Sequence, residues 1–262
     1  MKRNFLLTIA YDGSVFHGWQ RQPEALTVQG HLENVLSSFF KTDVTVNGTS
    51  RTDAGVHAYG QRASFQIESG IPEDRLAMVI NNALASKENG SFAISPVRIV
   101  RAEEKSLDFH ARFDSKGKKY IYRIRNTKNT DIFMRNYVYH VPDSLDTEAM
   151  KKAAEAIRGT HDFKSFESSG GNVRETTVRT IYDIQVKETD LADDPEGRFI
   201  EIHVSGDGFL YNMVRIITGT LVDTGMGRIS AADMPGIIEA RDRCKAGHTA
   251  PPYGLYLAEV YY

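Results

Sequence analysis

The sequence predicts an α+β fold made of two similar halves, each a mainly antiparallel sheet covered by helices. Two observations carry this expectation. The succession strand, helix, strand, strand, helix, strand is predicted over residues 1–126 and again over residues 127–262. In addition, 41% of the 262 residues are hydrophobic, which is sufficient to bury about three quarters of the surface of the unfolded chain.

In the first half, apolar periodicity and turn residues place the elements in order. A strand at residues 5–11 ends at the turn dipeptide Asp12-Gly13. Thr27 is a typical N-cap residue and opens a helix, and Pro72 opens another. Further strands are predicted at residues 44–47, 61–67, 92–100 and 118–125.

The second half repeats the pattern. Strands are expected at residues 137–141, 177–186, 199–204 and 255–261. Helices are expected at residues 147–157, with Asp146 as N-cap, and at 212–222 and 231–241. The Ser- and Gly-rich segment 167–174 is predicted to be flexible and could close over a ligand.

A loop between two predicted strands carries the first candidate site. Asp53 lies between Thr52 and the small pair Ala54-Gly55, so nothing bulky screens its carboxylate, and Gly55 allows a sharp turn directly after it. Arg51 could bind the same carboxylate or a phosphate. By composition alone, an Arg/Asp pair that braces an ordinary turn is the simpler interpretation.

The net charge of −2 does not favour a nucleic-acid partner, but the cations are unevenly distributed. Residues 98–128 contain ten Lys or Arg against four acids. There, Lys118 and Lys119 precede Tyr120 on an alternating strand, which suits contact with phosphates and stacking on bases. A purely structural role stays open, because tyrosine is a common strand residue. Trp19, similarly, could stack on a base or fill the core.

Arg215 follows a second glycine-rich connection, about one turn into a predicted helix with apolar neighbours. A buried cation without a partner is costly, so an anionic partner is expected. The carboxylate of Asp53 is one candidate. A local acid such as Asp207, or water reached by the extended side chain, is the alternative.

Three segments resemble the motifs of the bacterial tRNA pseudouridine synthase A family. They are Arg-Thr-Asp-Ala-Gly-Val-His at residues 51–57, Lys-Tyr-Ile-Tyr at 119–122 and Phe-Leu-Tyr-Asn-Met-Val-Arg at 209–215. Segments 11–13, 18–22, 109–113 and 254–257 match in order and spacing as well. The resemblance therefore covers nearly the whole chain.

The resemblance implies a role for each matched residue. Asp53 would be the catalytic aspartate, Tyr120 the ring that packs on the target base, and Arg215 the cation paired with the aspartate. Arg51 would help to displace the target nucleotide from its stack. Further RNA contacts are expected from the cationic and histidine side chains of the matched motifs and the basic strand: Arg21, His57, Arg112, Lys118 and Lys119.

The resemblance also implies a pseudouridine synthase fold, with two ferredoxin-like or RRM-like halves, a central mixed and mainly antiparallel sheet, and a cleft between the halves. The Asp53 loop would belong to the first half and the Arg215 motif to the second, together forming one catalytic unit. The family works as homodimers on tRNA, at positions 38–40 of the anticodon stem-loop.

The implied reaction moves the uracil from its N1 to its C5 on the ribose C1′, without oxidation or loss of atoms. Asp53 must be ionised to act as nucleophile, which a nearby cation favours. We expect no cofactor and no metal, because the sequence lacks a metal-ligand cluster, a dinucleotide-binding loop and a phosphate-binding loop. The single Cys244 excludes an internal disulfide.

We further expect a cytoplasmic protein without a membrane partner, because the N-terminus enters a strand pattern at once and no long apolar run exists. Two other functions stay open. One is an enzyme of the same fold that acts on another tRNA site or another RNA, and the other is an RNA-binding protein without turnover. A binding module does not need Asp53, Tyr120 and Arg215 together, so their joint presence favours an enzyme.

Overall fold

The structure, a computed structural model, describes residues 1–85, 87–88, 91–92, 94–170, 175–192 and 194–262, without the side chains of 87, 88, 91 and 92. Within these residues it contains five α-helices: α1 (Val28–Phe40), α2 (Glu73–Leu84), α3 (Thr147–Ile157), α4 (Met213–Gly225) and α5 (Met234–Ala240). The strands in the same residues are β1 (Lys2–Tyr11), β2 (Asn47–Gly48), β3 (His57–Glu68), β4 (Lys87–Glu88), β5 (Ser91–Phe92), β6 (Val97–Lys105), β7 (Gly117–Asn126), β8 (Tyr139–Val141), β9 (Gly159–Asp162), β10 (Val178–Asp190), β11 (Arg198–Gly206) and β12 (Leu255–Tyr261). None of the described helices is long and apolar enough to cross a membrane.

The chain forms two compact units, one of Met1–Lys116 with Leu257–Tyr262 and the other of Gly117–Tyr256. Both combine antiparallel strands with α-helices, so the predicted α+β class is confirmed. The division after residue 126 into a half with the Asp53 loop and a half with the Arg215 motif concerns the catalytic unit and stays a prediction.

In the first unit, antiparallel strands lie in the order β6, β1, β3, β2. Counting only these four strands along the chain, the order is fourth, first, third, second, the arrangement of a ferredoxin-like sheet. Phe5 and Leu7 of β1 pair with Phe65 and Ala63 of β3, and all four are buried. Helix α2 packs on β6 and α1 lies beside α2, which covers this apolar face.

In the second unit, the long strands lie in the order β7, β11, β10, so the first, third and second of these strands along the chain are neighbours in the sheet. Strand β9 extends this sheet beside β10, and β8 runs parallel to β7. Residues 120, 122 and 124 of β7 pair with 204, 202 and 200 of β11, and these residues are buried. Helices α3 and α4 contact β10 and β7 respectively.

For α1 and α3 the predicted N-caps are confirmed. The Thr27 hydroxyl accepts a hydrogen bond from the Gly30 N–H, and the Asp146 carboxylate accepts one from the Ala149 N–H. The predicted last helix is shorter than expected, because residues 231–233 form a 3-10 turn that leads into α5. No strand is predicted from the sequence at residues 159–162, where β9 lies.

The predicted strand at residues 44–47 is wrong in most of its length, since only Asn47 belongs to a strand. The backbone there bonds to side chains of α1 instead of a neighbouring strand. The Val44 N–H donates to Ser37 Oγ at 2.9 Å, and the Val46 N–H donates to Glu33 Oε1 at 3.0 Å. The Val46 carbonyl accepts from Gln29 Nε2 at 3.1 Å. The segment therefore satisfies its polar groups without a ladder.

Other strand boundaries also differ from the sequence prediction; β3, for example, begins at His57 and β10 ends at Asp190. The strand expected at 92–100 is β6, which begins only at Val97, and residue 93 of the predicted span lies outside the described residues. The strand expected at 137–141 begins at Tyr139. Of the segment predicted to be flexible, residues 171–174 also lie outside the described residues.

Candidate active site

The Asp53 loop connects β2 to β3 in the first unit and closes with a tight turn. The Val56 N–H donates to the Asp53 carbonyl at 3.1 Å, and Gly55 has φ of +79°, so the predicted sharp turn after Asp53 is confirmed. A positive φ is disfavoured for residues with a Cβ, which explains the glycine. Asp53 is half-buried and Arg51 is exposed. The loop thus leaves Asp53 partly accessible.

The residue between these two, Thr52, anchors the loop to the core of the unit. Its hydroxyl lies 2.7 Å from the hydroxyl of Tyr11, and its carbonyl accepts a hydrogen bond from the backbone N–H of Trp19 at 3.0 Å. Thr52 is 7% exposed and Trp19 is 2% exposed, with the Trp19 ring packed against Tyr11 at 6.0 Å between centroids. Trp19 is therefore a core residue under the loop. This explains why segments 11–13 and 18–22 accompany the Asp53 motif.

His57 also braces the loop. Its Nδ1 accepts a hydrogen bond from the Gly13 N–H at 3.0 Å and lies 3.3 Å from Asp12 Oδ1. The side chain is buried, with 2% of the residue exposed. The predicted RNA contact of His57 stays a prediction, whereas its contact with the turn at Asp12-Gly13 is structural.

Gln61 of β3 clamps the beginning of the loop. Its Oε1 accepts from the Ser50 N–H at 3.2 Å, and its Nε2 donates to the Ser50 carbonyl at 2.7 Å. The amide thus pairs with both backbone groups of one residue, as a residue of a neighbouring antiparallel strand would. Gln61 is fully buried and Ser50 is 3% exposed. No motif marks Gln61, and its only signal in the sequence is an amide in an apolar strand.

Removal of this clamp should destabilise the first unit. Gln61→Met leaves the N–H and the carbonyl of Ser50 buried without these bonds, and we expect a loss of about 2–3 kcal/mol in the free energy of unfolding. Gln66→Met is the matched control: Gln66 is an exposed residue of the same strand, and its loss removes only an exposed hydrogen bond to the Leu107 carbonyl, so stability should change by less than about 1 kcal/mol. Urea denaturation of both variants measures the difference. Equal stability of the two variants would contradict the clamp.

Tyr120 lies on β7 in the second unit. Its ring packs edge-to-face on Phe209, with centroids 5.2 Å apart and an angle of 89° between the planes, and the residue is 8% exposed. Phe209 opens the 209–215 segment that leads into α4. Two of the three segments that carry the family resemblance therefore meet within the second unit.

Arg215 is the third residue of α4, within its first turn as predicted. Its Nε donates to the Ala250 carbonyl and its Nη1 to Asn212 Oδ1, both at 2.8 Å. Asn212 precedes the helix with φ of 60°, in the left-handed region. The guanidinium is thus held by at least two acceptors of its own unit. Its pairing with Asp53 stays a prediction.

Tyr122 lies beside this arginine in the second unit. Burial raises the pKa of the Tyr122 phenol well above its usual value, against the positive charge of Arg215, which lowers it. The phenol therefore keeps its proton and donates to the Pro251 carbonyl at 2.6 Å. Residues 250 and 251 consequently receive one hydrogen bond from Arg215 and one from Tyr122.

The remaining RNA-contact candidates lie at or near the surface of their units. Arg21 and Arg112 are exposed, and one Arg21 nitrogen lies 3.4 Å from the Glu33 carboxylate. Lys118 and Lys119 are half-exposed on β7. All four, like Arg51, are accessible, and their contact with RNA stays a prediction.

Comparison with known protein families assigns the chain to a class of RNA-modifying isomerases. The chain belongs to the tRNA pseudouridine synthase family, whose profile matches residues 7–114 and 153–262. Asp53 and Arg215 lie in the matched segments and Tyr120 lies between them.

Similar proteins from individual organisms match this chain over its whole length. The tRNA pseudouridine synthase A of Ruminiclostridium cellulolyticum is 47% identical over 262 residues, covering 99% of this chain and 100% of that protein. The protein of the same name from Acetivibrio thermocellus is 45% identical over 260 residues, with 99% and 100% coverage. A tRNA pseudouridine synthase A 2 from Clostridium tetani is 43% identical over 265 residues, with complete coverage of both chains.

Proposed function

We propose that this protein converts uridine to pseudouridine in tRNA, at positions 38–40 of the anticodon stem-loop. The family assignment and the full-length similarity to proteins named tRNA pseudouridine synthase A support the reaction and the substrate. The structural observation that carries the proposal is the braced loop. Its buried residues Ser50 and Thr52 are held by side chains and backbone of the same unit, while Arg51 is exposed and Asp53 is half-buried.

The proposed chemistry needs few groups. Asp53 acts as the nucleophile on the base or on the ribose, the bond between C1′ and N1 breaks, and the base turns within the site. C1′ then joins C5, and the bond between Asp53 and the substrate breaks, which restores the free carboxylate. The proton on C5 is removed while N1 gains one, so that atoms balance. Tyr120 packs on the target base, and its hydroxyl group takes the proton from C5. Arg215 favours the ionised form of the aspartate.

The target uridine must leave its stack before this chemistry, at a cost of about a few kcal/mol. Arg51 is proposed to displace it, and stacking on Tyr120 offsets part of the cost. The exposed position of Arg51 supports this role, since the guanidinium is accessible to a polynucleotide. Arg21, Arg112, Lys118 and Lys119, with His57, complete the proposed RNA contacts.

The two adjacent lysines of β7 provide a test of RNA binding. Lys118→Ala or Lys119→Ala should weaken binding of any tRNA, because each variant loses one phosphate contact, and the slope of log affinity against log salt should become shallower by about 0.7–0.9. Filter binding across a salt series measures it. Lys41→Ala, at an exposed lysine that follows α1, serves as a control of equal charge change. Unchanged affinity at low salt in both strand variants would overturn the contact.

The activity and its target are tested together by mapping pseudouridine in tRNA incubated with the purified protein. Pseudouridine at positions 38–40, and its absence from a tRNA with cytidines there, supports the proposal. Pseudouridine elsewhere would indicate the same enzyme class with another target. Binding without any pseudouridine would indicate an RNA-binding protein.

We also infer that the protein works as a homodimer in the cytoplasm. The family resemblance and the bacterial origin of the similar proteins support this inference. Sedimentation equilibrium at micromolar concentration should give about twice the 29.3 kDa mass of one chain. A mass of one chain under these conditions would contradict the dimer.

A further inference from the structure

Residues 247–251, here called the 247–251 loop, are fastened along one side of α4. The Gly247 N–H donates to Thr220 Oγ1 at 2.9 Å, and the Ala250 N–H donates to the Arg215 carbonyl at 3.1 Å. The approach is close. A Cβ at Gly219 of α4 would lie 1.8 Å from the His248 carbonyl oxygen, so only glycine allows this contact.

His248 fixes the loop through two side chains from other elements. Its backbone N–H and its Nδ1 both lie near Asp223 Oδ2 of α4, at 3.1 and 3.0 Å. Its Nε2 lies 3.2 Å from the Tyr139 hydroxyl of β8. Asp223 is 8% exposed, and its other oxygen lies 3.3 Å from an Arg228 nitrogen.

The donor in each of these hydrogen bonds follows from the chemistry of the groups. An ionised carboxylate only accepts, so the hydrogen lies on His248 Nδ1, and in the neutral ring Nε2 then accepts from the Tyr139 O–H. Burial raises the pKa of the Tyr139 phenol, and the negative charge of Asp223 raises it further. Tyr139 therefore keeps its proton and can serve as the donor.

The other end of the loop holds the proposed partner of the catalytic aspartate. The Ala250 carbonyl accepts from Arg215 Nε at 2.8 Å, two residues after His248. A shift of His248 along α4 would carry this carbonyl with it. Because the guanidinium is planar, the direction of its Nε–H bond sets the direction of its two outer nitrogens.

We propose that Asp223, His248 and Tyr139 are positioning residues that set the orientation of the Arg215 guanidinium through the 247–251 loop. This inference rests on the proposed role of Arg215 in the reaction. These three residues, here called the positioning chain, affect turnover, because the orientation of a charged group matters at the reacting atoms. They leave tRNA affinity unchanged, since none of the three residues is among the proposed RNA contacts.

A double-mutant cycle with Arg215→Lys tests the coupling. Lysine keeps the charge but has no Nε–H for the Ala250 carbonyl. We expect His248→Ala to lower kcat about 10- to 100-fold with an unchanged KM for tRNA, because small misplacements of catalytic groups have effects of this size. In the Arg215→Lys background the same change should lower kcat by less than about twofold.

Conservative variants separate positioning from folding. His248→Asn retains a donor near Nδ1 for Asp223 and should recover part of the lost kcat. Tyr139→Phe removes only a hydroxyl, and it carries the cycle if His248→Ala does not fold, as judged by thermal melting. Tyr182→Phe is its control, since Tyr182 is an exposed residue of β10, 44% accessible, and should leave kcat unchanged.

The outcomes distinguish the two proposals. Wild-type turnover in Arg215→Lys would overturn the role of Arg215 and the positioning chain with it. A large loss in Arg215→Lys, together with wild-type kcat in both His248→Ala and Tyr139→Phe, would overturn the positioning chain alone. An equal fold loss of kcat from His248→Ala in both backgrounds would also overturn it, because the effects of independent substitutions on the activation free energy add.

Discussion

Asp53→Asn is expected to reduce pseudouridine formation at least about 10³-fold while tRNA affinity stays within about twofold of wild type. The amide has nearly the shape of the carboxylate but is a far poorer nucleophile. The anchors described for the loop use the backbone and side chains of Ser50, Thr52 and their partners, so the loop should keep its conformation. Single-turnover formation of pseudouridine and filter binding measure the two quantities.

Asp43→Asn is the matched control for this prediction. Asp43 is an exposed acid of the same unit and lies before β2, so its replacement changes the net charge by the same amount. This variant should retain wild-type turnover. If Asp53→Asn retained more than a tenth of wild-type turnover, Asp53 would not be the nucleophile. If it lost tRNA affinity instead, the residue would act in binding.

Local signals in the sequence were sufficient for the helices and the long strands. The bounds of α3 and its Asp146 cap agree with the prediction, because an apolar stripe and a cap residue are both local features. The strand pattern at 118–125 likewise falls within β7, with its residues 120, 122 and 124 buried. In such elements, pattern and tertiary packing favour the same structure.

The segment 44–46 shows where local signals fail. Its β-branched residues favour a strand, but its backbone groups are satisfied by Ser37, Glu33 and Gln29 of α1. Glu33 is 6% exposed and accepts from both Gln29 and the Val46 N–H, so the helix supplies the partners that a strand would need. Nothing in the isolated segment encodes contacts with residues 7 to 17 positions earlier.

The candidate site divides in the same way. The turn at Asp53 and Gly55 was predictable because its residue types are adjacent in the sequence. Its anchors were not, since Tyr11, Trp19 and Gln61 reach the loop only in the folded unit. The contact of Tyr120 with Phe209 likewise joins residues far apart in the sequence. The reactive groups were thus recognisable by motif, and their support only by structure.

Tyr120→Phe is the second change for which we expect a large effect. The phenyl ring keeps the edge-to-face contact with Phe209 and can still pack on the base, so the variant should fold and bind tRNA within about twofold of wild type. It loses the hydroxyl, the group that we propose for moving the C5 proton. Loss of a general base typically lowers a rate 10²- to 10⁴-fold, and we expect kcat to fall by at least about 10².

Release of tritium from tRNA labelled at uridine C5 follows this proton transfer directly. In Tyr120→Phe, tritium release should slow by the same factor as pseudouridine formation, because both report removal of the C5 proton. Tyr59→Phe, at an exposed tyrosine of β3 that is 45% accessible, is the control and should release tritium at the wild-type rate. Wild-type release from Tyr120→Phe would restrict Tyr120 to packing on the base and require another group to take the proton.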